Sequence, residues 1–286
     1  MDDIFKRIIV MLIGSVILVG LLCGTYFYND VRNHRNITKT DHLSGQRIGL
    51  MCGWESDYFL TPREDITLKR YDTTADLFMA LNYNQVDALA IDDSLYSICK
   101  SCISNIDIVG EPLDQFYYTY YTCFDDDFND KLNTFIKEFK ETDEYQDFIN
   151  KCYDLEWVNS DDYTPETGTG DEINVGYVAE YYPSIFVDGK GNIRGPEREF
   201  AVLFANHYNY KINWKPISSA TFAMDIAYGK LNMAACSANE LYRSELDNPD
   251  TAFARMSDGF MPSNINVVVA TGPISIDNSF IFEYNE

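Results

Sequence analysis

Histidine is scarce in this sequence, with His34, His42 and His207 the only three in 286 residues. The first two fall beside an apolar amino-terminal segment and the third on a helix face with Phe200, Leu203 and Phe204, so neither a nucleophile triad nor a histidine-rich metal site can be assembled. Basic residues are also few. Lys and Arg number 22 against 45 Asp and Glu, a formal charge of −23, which repels nucleic acid and anionic membrane surfaces; most of that acid reads as solvated surface. The cysteines, at 23, 52, 99, 102, 123, 152 and 236, are too scattered for a disulfide scaffold, and their odd count leaves at least one unpaired. Cys99-x-x-Cys102 is one isolated pair, read as two packed thiols or a local disulfide before a redox or metal half-site. Asp125-Asp126-Asp127 lacks the spacing and glycine of a calcium loop. No residue is marked as a catalytic acid and no cofactor is implied, so the sequence reads as a non-enzyme.

At 46% apolar content the chain can bury one large core or two lobe-sized ones. From Ile8 to Tyr28 it carries no charge, a run matching the roughly 20 residues that cross a bilayer core. A cleaved signal peptide is the rival reading. The run exceeds the usual apolar region of about 7–15 residues, and no Ala-x-Ala site follows it. Leu21-Leu22-Cys23 also lacks the small residue before cysteine that a lipoprotein site takes. An uncleaved anchor is therefore expected. Lys6 and Arg7 precede the span while Arg32, Arg35 and Lys39 follow it, so charge alone does not orient it; the short amino-terminal tail leaves the acidic bulk outside.

Ile173 to Glu199 reads as strand, turn and helix. INVGYV has strand length, Asp188-Gly189 and Gly191-Asn192 are turn dipeptides, and Gly195-Pro196-Glu197 sets proline and acid at a helix start. Two helix–strand units are related. In Tyr71–Asp93, Thr73 with Asp76 caps a helix that Asn84 closes before the strand VDALAI; in Ala220–Glu240, Gly229 takes the place of Asn84. Two further helices show 3.6-residue periodicity, one through Phe128, Leu132, Phe135, Ile136 and Phe139, the other through Tyr145, Phe148, Ile149 and Cys152. Taken alone, these elements give an α/β protein.

The stretch after Ile173 resembles the opening of the amino-acid-binding (family three) type 2 periplasmic solute-binding proteins. LSGQRIGLMCGW from Leu43 is similar to that family's entry into its second lobe, Val109–Phe124 to a crossing between lobes, Phe128–Tyr153 to its carboxy-terminal helices, and Ile265–Thr271 to the other hinge strand. The order is changed. With the apolar run giving a transmembrane anchor at 1–28, a spacer at 29–42 and composition a polar linker at 156–172, the resemblance implies a second-lobe region at 43–124, terminal helices at 125–155 and a first-lobe region at 173–272, leaving a tail at 273–286. The fold expected is thus α/β, a two-lobed type 2 clamshell with permuted lobe order behind one transmembrane helix. A circular permutation and the remnants of a tandem pair both give this order. A 17-residue flexible linker reaches about 20–25 Å, enough to join old termini, whereas two half-modules would each expose a sheet edge and an apolar face.

In this family a carboxylate is held by an arginine fork and an ammonium by an acid of the other lobe. The resemblance carries these roles to Arg243, in Cys236–Arg243, and to Asp92, at the end of DALAID. It also implies ligand-binding roles for Tyr181, Phe186, Ser237, Glu240, Gly53 and Trp54. Read without it, Arg243 is a surface arginine and Asp92 a helix cap. Departures stand at Ser184 and Ile185, where the family has proline and phenylalanine; at Glu240, where it has threonine; and at Trp54, where it has a hydroxyl residue. Glu240 would repel an anionic ligand or pair with Arg243. The function expected is a membrane-anchored, extracytoplasmic binding protein for an amino acid or similar small polar solute, delivering it to an ABC permease. The alternatives are a sensing ectodomain and a degenerate scaffold for a protein partner. If the bulk lies outside, a Thr167→Cys variant in intact cells will react with a membrane-impermeant maleimide, and protection would contradict that topology.

Overall fold

The computed structural model describes residues 19–20, 37–154, 163–218, 220–246, 252–272 and 274. The expected span at 8–28 thus lies outside the described residues save for Val19 and Gly20. Among the described residues no helix is long and apolar enough to cross a membrane.

Two sheets organise the chain. The first is built by β1 (Arg47–Met51), β2 (Thr67–Tyr71), β3 (Ala88–Asp92), β4 (Ile106–Ile108), β5 (Asp114–Tyr118) and, from the far end of the sequence, the last strand, Met261–Ala270. Its order is β2-β1-β3-last-β4, with β5 also on the last strand. The first three strands run parallel and the last is antiparallel to its partners. ALAID of β3 is buried at every position, as expected of a parallel strand covered on both faces. Helices α1 (Glu55–Leu60), α2 (Thr74–Asn82) and α3 (Asp93–Cys102) complete this lobe. Thr73 caps α2 by accepting from Asp76 N at 3.1 Å. The chain leaves α2 through Asn84 at φ 53°, a left-handed position that asparagine tolerates.

The second sheet follows β6 (Tyr121–Thr122), α4 (Asp126–Lys140) and α5 (Asp143–Tyr153). Its other strands are β7 (Glu172–Tyr177), β11 (Lys211–Pro216), β12 (Met233–Ala235) and β13 (Arg255–Met256), in the order β11-β7-β12-β6-β13. Between β7 and β11 come a small antiparallel sheet of β8 (Glu180–Tyr181), β9 (Ile185–Val187) and β10 (Ile193–Arg194), then α6 (Pro196–His207). The last helix, α7 (Phe222–Ala227), ends at Gly229, φ 69°, so Asn84 and Gly229 close two equivalent helix–strand units. The final strand of the first sheet is β14.

Helices α4 and α5, capped by Asp125 and Thr142, lay their aromatic faces on α6. Phe200 is the centre, its ring within 6.1 Å of those of Tyr120, Phe135, Phe139, Phe148 and Phe260. His207, expected to be packed, stays exposed at the end of α6 with one ring face toward Phe135 at 5.1 Å; its position in the last turn takes it past the core. The described part of the linker is not a free tether. Thr164 N donates to Glu199 Oε2 at 2.8 Å, Arg198 donates to Thr164 O at 2.7 Å, and Thr167 N donates to Asn206 Oδ1 at 2.8 Å. A Cβ on Gly168 would fall 1.7 Å from Tyr210 O, so only glycine lets this strap lie flat on α6. The cysteines described are free thiols, Cys99 and Cys102 both buried.

Two crossings join the sheets, β5 to β6 and β13 to β14, and they run side by side. Ser257 N donates to Tyr120 O and Phe260 N to Tyr118 O, both at 2.9 Å, and the Tyr120 and Phe260 rings stack at 4.9 Å. Tyr120 is fully buried, its hydroxyl donating to Glu197 O at 2.6 Å. Truncating the centre of this aromatic cluster leaves a cavity, so Phe200→Ala is expected to cost about 3–5 kcal/mol, read as a lower urea midpoint in tryptophan fluorescence.

Candidate functional site

At the junction of the two lobes lies a cavity of about 210 Å³. From the six-stranded lobe it is lined by Gly53, Trp54, Glu55, Asp92, Leu95 and Tyr118. The opposite wall carries Tyr121, Tyr181, Tyr182, Phe222, Ser237 and Tyr242. It sits beyond the carboxyl ends of β1 and β3, where open α/β sheets bind ligands. Two hydrogen bonds latch it across the cleft, Asn239 Nδ2 to Glu55 Oε1 at 2.7 Å and Tyr242 Oη to Gly53 O at 3.2 Å.

Of the residues expected from sequence, Gly53, Trp54, Asp92, Tyr181 and Ser237 meet at this cavity. Phe186, Glu240 and Arg243 are not among its lining residues. Phe186 is buried in β9 with its ring 5.0 Å from that of Tyr182. Arg243 donates to Met256 O at 3.2 Å and Ser257 O at 2.7 Å, filling two carbonyls of a crossing strand with the fork that was expected to hold a ligand carboxylate. Among the described residues no ion pair links it to Glu240. Asp92 caps α3, accepting from Leu95 N at 2.8 Å, and accepts from the Tyr118 hydroxyl at 2.6 Å. Both its cap role and its place on the cavity wall are therefore present together.

Sequence reading passed over Glu55, Glu197 and most of the tyrosines. Glu55 opens α1 two residues after Gly53; an acid just past the carboxyl end of a buried parallel strand was the available signal. It is 8% exposed. Burial, and then the charge of Asp92, lift its carboxyl to about 8, against the lowering effect of its own backbone N–H and Asn239. Asp92 is lifted to about 6, chiefly by burial, despite the Tyr118 and Leu95 hydrogen bonds. Glu197 lies at the start of α6 beneath Ser237, accepting from Ser237 N at 2.7 Å, and burial lifts it to about 8. That bond holds Ser237 at φ 52°, a costly conformation for a non-glycine residue that needs such support. Its second oxygen is buried and without a hydrogen bond, which a proton on the carboxyl makes tolerable. Among the described residues no cluster of three or more His, Cys, Asp or Glu side chains could hold a metal ion.

No protein-family model matches the chain, and no curated protein matches it. Among solved structures it is similar to the ligand-binding component of an ABC-type import system from Staphylococcus aureus, at 13% identity and a TM-score of 0.39, covering 80% of this chain and 66% of that one, just under two thirds of its length. It is also similar to a probable amino-acid ABC transporter extracellular-binding protein from Bacillus subtilis, at 8% identity and a TM-score of 0.41, with 80% and 85% covered. A third likeness is to the VFT2 domain of Bordetella pertussis BvgS, at 11% identity and a TM-score of 0.38, with 84% of each covered.

The buried acids set a pH dependence. The folded chain keeps protons on Glu55 and Glu197 up to about 8, whereas an ordinary glutamate carboxyl releases them near 4.5; between these values the native state binds more protons, so stability falls as pH rises. The ligand-free chain should therefore melt lower at pH 8 than at pH 5, and Glu55→Gln or Glu197→Gln should reduce that difference. Each kcal/mol corresponds to about 2–4 °C for a chain of this size. Calorimetric scans giving the same slope in both variants as in the parent would contradict the assignment.

Proposed function

We propose that the chain is a solute-binding protein that closes its two lobes over one small organic solute. The cavity at the lobe junction carries this reading, because its walls come from both sheets and its latches, Asn239–Glu55 and Tyr242–Gly53, cross the cleft. Solute held there is buried by both lobes at once, and a ligand that touches two bodies favours the closed arrangement by its differential affinity for it. The paired crossings at Tyr118–Tyr121 and Met256–Met261 supply a two-strand hinge beside the site.

The sequence motifs and lobe order support a circularly permuted relative of the amino-acid-binding type 2 proteins, with α4 and α5 resting on α6 as terminal helices would. The apolar segment at 8–28 supports tethering to a membrane with the lobes outside, and delivery to an ABC importer is the role that such a tethered binding protein serves. An amino acid bound in the family's manner would need Arg243 to leave the Met256 and Ser257 carbonyls.

A thermal-shift screen of the full chain against amines, amino acids, sugars, carboxylates and short peptides tests the reading. A true ligand at a hundredfold its dissociation constant adds about 2.7 kcal/mol, and Trp54, on the cavity wall, should change its fluorescence with it. No stabilisation by any class at millimolar concentration would overturn the proposal.

A further inference from the structure

The cleft has no cationic side chain among its lining residues. Its charged groups are the carboxyls of Glu55 and Asp92, and its nearest expected anion receptor, Arg243, serves two backbone carbonyls instead. Asp92 has both oxygens occupied, by Leu95 N and the Tyr118 hydroxyl. Glu55 does not. Its hydrogen-bond donors are Asn239 and its own backbone N–H, whereas a carboxylate offers about four acceptor positions. A side chain more than nine-tenths buried, on the wall of a cavity, with acceptor capacity to spare, calls for a donor from the cavity.

Much of the rest of the wall is aromatic, with Trp54, Tyr121, Tyr181 and Phe222 lining it beside small residues such as Ser184, Ser237 and Ala238. Aromatic faces attract a desolvated cation through the ring quadrupole and enclose its apolar substituents as well. A ligand carboxylate would meet two buried acids and no partner. Resting on the solute-binding reading above, we infer that the cleft takes a small organic ammonium ion carrying no carboxylate, its positive nitrogen against Glu55 and its carbon substituents within the aromatic wall. Burial favours the protonated form of Glu55, and a cation beside it would supply the counter-charge that makes the carboxylate tolerable there. A cavity of about 210 Å³ has room for a small organic ion.

Calorimetric titration of the full chain with choline and with butylammonium tests this, beside two controls. The alcohol 3,3-dimethylbutan-1-ol is the shape of choline without its charge, and glycine betaine keeps the quaternary nitrogen but adds a carboxylate. At least one of the two cations should bind tenfold or more tighter than both controls. Glu55→Gln should weaken that cation at least tenfold, and Trp54→Leu should do the same through a residue that carries no charge. Glu240→Gln, off the cavity wall, should leave it within twofold; its thermal melt and those of the other variants report on folding. Alcohol binding equal to the cations, or tighter betaine binding that is lost in Arg243→Ala, would overturn the ammonium assignment while solute binding stood. Failure of every solute class to bind would overturn both.

Discussion

The two lobes are held in register by a pair of backbone crossings that hydrogen-bond to each other. Tyr118, Tyr120, Ser257 and Phe260 exchange main-chain bonds where the strands leave one sheet for the other, and the Tyr120–Phe260 stack seals that junction from water. The Ser257 hydroxyl adds a bond to Tyr120 N at 2.9 Å, and Arg243 fills the carbonyls facing the other way. Backbone groups this deeply placed must find partners. Because they find them in one another, the two sheets are tied together at the end of the cavity where the strands cross.

Against that fixed end the site is an electrostatic compromise. Three carboxyls, from Glu55, Asp92 and Glu197, lie at or just beneath the cleft, each raised mainly by burial. Their strain is divided. Asp92 is relieved by the start of α3 and the Tyr118 hydroxyl, Glu197 by the Ser237 N–H, and Glu55 by a single side-chain amide from the other lobe. The least relieved of the three is Glu197, whose second oxygen is buried without a hydrogen bond, while the partner of Glu55, Asn239, comes from the opposite side of the cleft.

The sequence made the sheets and helices readable because their signals are local: the continuous apolar run of β3, the Thr73 cap, the left-handed Asn84 and Gly229, the period of α4. The positions of Gly53, Trp54, Asp92, Tyr181 and Ser237 followed from motifs at strand ends, which the topology directs to the cleft. Arg243 was placed by the same motif logic, yet what a guanidinium touches depends on which carbonyls lie within reach after folding, and β13 brought Met256 and Ser257 there. Glu55 was overlooked because its place past a strand end marks it as near the cleft but not as buried; the burial comes from contacts such as Asn239, 184 residues away in sequence. The linker read as flexible for its composition, whereas its glycine admits a close approach to Tyr210.

The strand β14 sits in the middle of a sheet whose other members lie early in the chain. Its Asn266 donates to Asp93 across 173 residues of sequence, and it covers β3 on one edge and β4 on the other. During synthesis, therefore, β3 emerges as an open edge and stays so until most of the chain has been made. Loop closure of that length is slow, and unpaired apolar edges aggregate while they wait. The five-stranded sheet, assembled mainly from residues 172–256, can collapse on α4 and α5 in the meantime. The six-stranded sheet is complete only once residues 261–270 have joined it, so the wall of the cleft that it carries depends on the last strand of the chain's two sheets.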